Sequence, residues 1–187
     1  MDGTIITVDA SNSKIHPDWC PGVANPTPTN CQGRFGIDVD LAVLKLDTFS
    51  SNDVVCLNED NSIPILGGTA EAMGFGLTES GDPTTFQGAT LPVSGCRPGD
   101  SSWYFCTDAT PAATSPNTCP GDSGGPTNVP NCNTQLGVVS FGIGPNGTPQ
   151  QVCLSSTLSG YQRVDTHIAW IEAQICALSA SPPAGCP

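Results

Sequence analysis

The stretch "CPGDSGGP", residues 119–126, carries the strongest structural information in this 187-residue sequence. Its glycines, Gly121, Gly124 and Gly125, permit backbone conformations that are closed to residues with a side chain. A tight turn built on them exposes the hydroxyl of Ser123 and directs the N–H groups of Gly121 and Ser123 towards one point. Two converging N–H groups form an oxyanion hole for acyl transfer. The stretch therefore predicts a serine nucleophile rather than a plain surface turn.

The remaining sequence predicts an all-β protein. Glycine (21) and proline (18) are frequent, and short runs of Val, Ile, Leu and Thr are separated by turn residues. A loop is expected at 16–31, and a linker or crossover at 49–64. We expect strands at 3–10, 36–47, 65–76, 88–94, 101–106, 135–144 and 160–164.

One helix is expected, at 165–176, because apolar residues recur at helical spacing from Val164 to Ile175. Asp165 is suited to cap its N-terminus. An irregular tail is expected to follow.

Charge and cysteine content narrow the class of function. The net charge is −12, with five Lys plus Arg, so no basic surface for nucleic acid can be assembled. The sequence contains no run of about 18 apolar residues, so no membrane span is predicted. Ten cysteines without zinc-type spacing indicate disulfides and a secreted, extracellular protein, although the N-terminus does not read as a signal peptide. We expect no metal and no cofactor.

Five segments in order resemble the chymotrypsin-like (trypsin-fold) serine endopeptidases. They are "DLAVLKL" (40–46), "AMGFG" (72–76), "GDSGGP" (121–126), "LGVVSFG" (136–142) and "GYQRV" (160–164). The resemblance implies a chymotrypsin-like double β-barrel with a C-terminal helix. The N-terminal barrel is expected to be incomplete, with its remnant and the start of the linker in 1–58. A full C-terminal barrel, the helix and the tail are expected in 59–187.

The resemblance also implies site residues. Ser123 would be the nucleophile, and Gly121 and Ser123 would supply the oxyanion hole. Asp40 would be the triad carboxylate, with Asp38 as a nearby rival. Ser140 would lie on the strand that lines the substrate-binding cleft and would steady Asp40. Protein or peptide substrates and protein protease inhibitors would be the partners.

The primary specificity pocket is expected to be uncharged. The resemblance implies that Asn117, six residues before Ser123, lies at the base of this pocket and that Gly142 leaves one wall open. Ser159 or Gly160 would form the other wall. We therefore expect a preference for substrates whose side chain in this pocket is uncharged.

The histidine that the triad needs has no match in this sequence. His16, in "KIHPDW", is interpreted as a surface-loop residue, and His167 is expected to lie on the helix, far from the cleft. The N-terminus whose α-ammonium pairs in the family with the equivalent of Asp122 is also absent. We therefore expect a truncated chain that is inactive alone and prone to aggregate.

The family's disulfides map onto Cys96–Cys106 and Cys119–Cys153, with Cys20–Cys31 and Cys176–Cys186 as local additions. Cys132 matches a family position whose usual partner is absent here. In some members the equivalent of Cys56 bonds to an activation peptide. The two remaining cysteines could pair with each other, or Cys56 with an upstream residue.

Two alternatives to an endopeptidase remain open. A non-catalytic homologue could keep the cleft and act as a binding or regulatory module. A lectin-like β-domain is weaker, and the glycosylation sequon at Asn146 does not discriminate against it.

Overall fold

The computed structural model describes residues 8–20, 31, 36–48, 50, 52–78, 86–108, 116–144, 147–182 and 186. Within these residues the chain is mostly β, as predicted, and each element is numbered in chain order. The strands are β1 (Ser13–Ile15), β2 (Ala42–Leu44), β3 (Cys56–Leu57), β4 (Thr69–Gly74), β5 (Gln87–Ser94), β6 (Tyr104–Asp108), β7 (Pro126–Asn128), β8 (Thr134–Ile143) and β9 (Leu158–Arg163). The helices are α1 (Pro149–Ser155) and α2 (Ile168–Leu178), with 3-10 turns at Ala10–Asn12 and Asp165–His167.

Six of the described strands form a closed barrel. They follow the order β8, β7, β4, β5, β6, β9, and the pairing of β9 with β8 closes the ring. Alternate residues of β5 point inwards, so Leu91 and Val93 are buried. The expected C-terminal barrel is therefore complete. Its buried core consists of Ala70, Ala72, Leu91, Val93, Phe105, Leu136, Val139 and Tyr161.

The described part of the N-terminal half contains one antiparallel pair, β1 with β2. The residues just before β2 are buried, because Val39 and Leu41 pack against Val164 and Ile171, and Val43 of β2 packs against the same cluster. The outer side of the pair presents apolar residues to solvent, and Leu44 is 55% exposed. The N-terminal half is thus attached to the C-terminal barrel by one apolar face and left uncovered on the other.

Several predicted boundaries were wrong. The strand expected at 36–47 is reduced to Ala42–Leu44. The Asp40 N–H donates to the Gln162 side chain, so the main-chain bonds of Val39 and Leu41 to the segment 16–18 do not form a continuous ladder with β2. The linker at 49–64 contains β3, which pairs in parallel with β8. Residues 3–7 of the first expected strand and Asn146 lie outside the described residues.

The C-terminal helix is present but begins and ends later than expected, at Ile168 and Leu178. Asp165 does not cap it, because its carboxylate pairs with the Arg163 guanidinium at 2.6 Å. Helix α1 was not expected. The capping box between Thr148 and Gln151 and the proline at its start are features of the sequence that indicate a helix N-terminus. Among the described residues, neither helix has the length and apolarity of a membrane-crossing segment.

Candidate active site

The side chain of Asp40 lies against strand β8. The Ser140 hydroxyl donates a hydrogen bond to Asp40 Oδ2 at 2.6 Å, which is the contact expected from the sequence. Burial raises the pKa of the Asp40 carboxyl, and the Ser140 hydrogen bond partly opposes that rise. Asp38, the rival, is engaged elsewhere, since its Oδ2 accepts the Cys20 N–H at 3.1 Å.

Two buried side chains of the barrel hold the main chain around Asp40. The Asp40 N–H donates to Gln162 Oε1 at 3.0 Å, and Gln162 Nε2 donates to the Trp103 carbonyl at 3.1 Å. The Tyr104 hydroxyl donates to the Asp38 carbonyl at 2.6 Å, and burial raises the pKa of Tyr104 to about 12. Sequence reasoning missed both residues.

The turn that carries Ser123 is held against β8. The Gly124 N–H donates to the Val139 carbonyl at 2.9 Å, and both Gly121 (φ +102°) and Gly124 (φ +80°) adopt the left-handed conformations that favour glycine. Ser123 is exposed at the tip of this turn. Among the described residues, no hydrogen bond uses the N–H of Gly121 or of Ser123. Both groups are therefore available to an oxyanion.

Ser123, Asp40 and Ser140 line one cavity of about 600 Å³. This brings the expected nucleophile and the expected triad carboxylate to the same space from opposite halves of the chain. Neither His16 nor His167 is among the residues that line it. Among the described residues, this cavity therefore brings a carboxylate and an exposed serine together without a histidine.

Asp122 fixes the turn that carries Ser123 through two hydrogen bonds to the main chain. Its Oδ1 accepts the Gly76 N–H at 2.8 Å, and its Oδ2 accepts the Cys119 N–H at 2.9 Å. A Cβ at Gly76 would lie 2.4 Å from this carboxylate, and one at Gly74 would lie 2.3 Å from it. The three residues Asp122, Gly74 and Gly76 share a second cavity of about 500 Å³. The Asp122 carboxylate, for which the sequence analysis found no cationic partner, is thus bonded by main-chain N–H groups.

Gly76→Ala, made in protein that contains the catalytic histidine, is expected to lower kcat about 100-fold. Displacing Asp122 would disturb the turn that positions the N–H groups of Gly121 and Ser123 for the oxyanion. Gly95→Ala is the matched control, since no atom lies within 4 Å of a Cβ there. Steady-state kinetics on both variants check this. Equal kcat values for the two variants would contradict the bracing role of Asp122.

Asn117 and Ser159 meet at the expected pocket base. The Ser159 hydroxyl donates to Asn117 Oδ1 at 2.5 Å, while Asn117 Nδ2 is buried without a partner among the described residues. Gly142 is paired with Ser159 across β8 and β9. Gly160 faces the ring of Phe141 instead. The described contacts of Asn117 are therefore uncharged.

Four disulfides are formed, and they are the four pairs expected from the sequence. One trio of metal-type ligands is close together within the described residues, namely Cys96, Asp100 and Cys106. Its two sulfurs are bonded to each other, and Asp100 pairs with Arg97 at 2.9 Å, so the trio offers no open ligand set. The bonds are Cys20–Cys31, Cys96–Cys106, Cys119–Cys153 and Cys176–Cys186.

The two histidines pack together on the side of the helix α2. The His16 ring centroid lies 4.9 Å from that of His167 and 4.7 Å from that of Trp170. The interpretation of His16 as a surface residue was wrong, because these contacts leave it only 8% exposed. Burial lowers the pKa of both histidines, and burial together with the neighbouring His16 lowers the pKa of His167 to about 4.

This histidine pair predicts a loss of stability in mild acid. A histidine with a depressed folded pKa stays neutral in the folded protein, while the unfolded chain takes up a proton below its ordinary pKa of 6.5. The free energy of unfolding should therefore fall by about 2 kcal/mol as the pH drops from 6.5 to 4, after allowance for partial solvation. Denaturant unfolding of the wild type and His167→Gln measures it. Equal pH dependence in the two proteins would contradict it.

Comparisons with known proteins identify the family and the fold. The family model described as Trypsin matches residues 4–171, and the chain belongs to this family of serine proteases. Platelet-aggregating proteinase PA-BJ of Bothrops jararaca is 29% identical over 157 residues, which cover 78% of this chain and 62% of that protein. A solved structure of HL collagenase superposes with a TM-score of 0.56 at 23% identity, covering 71% of this chain and 59% of that one. The chain thus spans less than two thirds of each of these two proteins.

Proposed function

We propose that this chain is the larger part of a secreted serine endopeptidase that cleaves peptide bonds through an acyl-enzyme. The observation that carries the proposal is the shared cavity of Ser123 and Asp40, with Asp40 hydrogen-bonded by Ser140. Ser123 attacks the peptide carbonyl, and the N–H groups of Gly121 and Ser123 bind the oxyanion. Asp40 orients a histidine and stabilises its protonated form.

The base comes from a segment outside these 187 residues. Both histidines of the chain pack against each other rather than into the cavity. The uncovered outer side of β1 and β2, with Ile15 58% exposed, supports the same conclusion because it is an apolar surface that lacks a partner layer. Residues 1–58 then complete an N-terminal barrel together with that segment, and 59–187 form the second domain. The chain alone is inactive.

The same upstream segment supplies a partner for Asp122. The family resemblance implies an α-ammonium, freed by cleavage, beside this carboxylate. The cavity of about 500 Å³ lined by Asp122, Gly74 and Gly76 supports this, since it gives a chain end access to the carboxylate. The four disulfides support an oxidising, extracellular location. The partners are protein substrates and protein inhibitors, without a cofactor.

Peptide substrates test the pocket. Because Asn117 offers an amide bonded to Ser159 and no carboxylate, substrates with an uncharged residue before the scissile bond should exceed those with Arg or Lys at least tenfold in kcat/KM. A panel of peptidyl anilides that differ only at this residue measures the ratio. Asn117→Asp should raise the relative rate for Arg. A wild-type preference for Arg or Lys would contradict the assignment of the pocket, while leaving the peptidase activity itself established.

A non-catalytic homologue is the second candidate, and the histidine-free cavity favours it. This reading predicts a folded natural protein in which Ser123 does not react with an active-serine probe. Detection of probe on Ser123 eliminates it.

A further inference from the structure

Two cysteines outside the four disulfides lie on adjoining segments of the barrel surface. Cys56 opens β3, and Cys132 ends the turn that leads into β8; both thiols are free and exposed. In the parallel pairing of the two strands, Cys56 stands opposite Thr134. The Cys132 sulfur lies 3.4 Å from the Thr134 hydroxyl. Paired residues of neighbouring strands project on the same face about 4.8 Å apart, so both sulfurs flank the Thr134 side chain.

The main chain already holds the two segments in a fixed register. The Cys56 N–H donates to the Asn133 carbonyl at 3.0 Å, and the Asn133 side chain donates to the Val54 carbonyl at 2.8 Å. One residue pair further on, the Asn58 N–H donates to the Gln135 carbonyl at 2.9 Å. These bonds keep the cysteines from separating. Because Cys132 lies two residues before Thr134, closing the bond also requires the turn that carries Cys132 to shift towards β3.

We infer that Cys56 and Cys132 form a fifth disulfide, which fastens the segment 52–58 to the turn between β7 and β8. In this reaction each thiol loses its proton, one S–S bond forms, and two electrons pass to an oxidant. The oxidant is a small-molecule or protein disulfide of the secretory pathway, which is reduced to two thiols. The Cys132 sulfur gives up its contact with Thr134 in the process.

The bond would tie the segment that joins the two halves of the chain directly to the C-terminal barrel. All ten cysteines would then be paired, as expected of a protein in an oxidising compartment. The competing arrangement leaves Cys132 as a thiol and joins Cys56 to a cysteine outside this chain.

Thiol counting with a maleimide under denaturing, non-reducing conditions tests the inference in the natural secreted protein and in this chain refolded with glutathione. Wild type should show no thiol, Cys56→Ser and Cys132→Ser one each, and the double variant none. A non-reduced digest should contain the peptides of Cys56 and Cys132 joined, lighter than their sum by two hydrogen atoms. The double variant is the control for folding, because it leaves the other four bonds unchanged.

Two results would overturn the inference. One is the labelling of both Cys56 and Cys132 in wild-type protein whose other eight cysteines are bonded. The other is a digest that joins Cys56 to a cysteine outside this chain. Neither result depends on peptidase activity, so the test is separate from that of the proposed function.

Discussion

Asp40→Asn, made in the protein extended by its own upstream sequence, is expected to lower kcat about 10⁴-fold with little change in KM. The amide keeps the size of the carboxylate but removes the negative charge that stabilises a protonated histidine. It also presents an N–H where the histidine requires an acceptor, which favours the wrong tautomer. Steady-state kinetics with a peptidyl anilide measure the effect.

Asp38→Asn is the matched control for this variant. Asp38 lies two residues away, and its Oδ2 accepts the Cys20 N–H, a bond that an asparagine oxygen can retain. Its kcat should stay within a few-fold of wild type. If Asp38→Asn were the inactive variant and Asp40→Asn the active one, the assignment of the triad carboxylate would be reversed.

The isolated chain is expected to hydrolyse peptides at least 10³-fold more slowly than the upstream-extended protein. A serine site without its base retains the oxyanion hole and substrate binding, which give only about 10³–10⁴-fold acceleration over water. The two proteins are compared on one substrate at equal protein concentrations. The rate of the Ser123→Ala variant of each protein is subtracted as background hydrolysis. Circular dichroism and thermal melts establish that the isolated chain is folded in the comparison.

His16→Gln and His167→Gln control for a base within the chain. Both residues pack against each other, and neither lines the cavity of Ser123. The two variants should keep the kcat of the upstream-extended protein. Equal turnover by the isolated and extended proteins, or loss of kcat in either variant, would contradict an external base.

The features that the sequence predicted well depend on short motifs. The serine turn, the Ser140 contact with Asp40 and the disulfides Cys96–Cys106 and Cys119–Cys153 follow from segments whose residue types and order are distinctive. Cys20–Cys31 and Cys176–Cys186 follow from cysteines that are close in sequence. The closed C-terminal barrel follows from the same segments, because they fix the order of its strands. The family model that matches residues 4–171 agrees with this reading.

The features that the sequence did not predict depend on contacts between distant residues. Gln162 reaches the main chain of Asp40 across 122 positions, and no local pattern marks a glutamine for that contact. His16 is buried because the helix α2 covers it, although its own segment reads as a polar loop. The strand at 36–47 is short because the Asp40 N–H bonds to the Gln162 side chain, which interrupts the main-chain bonds between this segment and residues 12–18. Local propensity therefore erred where a hydrogen bond from a distant side chain interrupted a β-ladder.

Labelling with a fluorophosphonate tests the central claim most directly. The natural protein, purified from its source in folded form, is treated with the probe and digested, and the modified residue is identified by mass spectrometry. We expect the probe on Ser123, and its loss after Asp40→Asn or Ser123→Ala. A folded natural protein that takes up no probe, or takes it up on another serine, would contradict the assignment of this site.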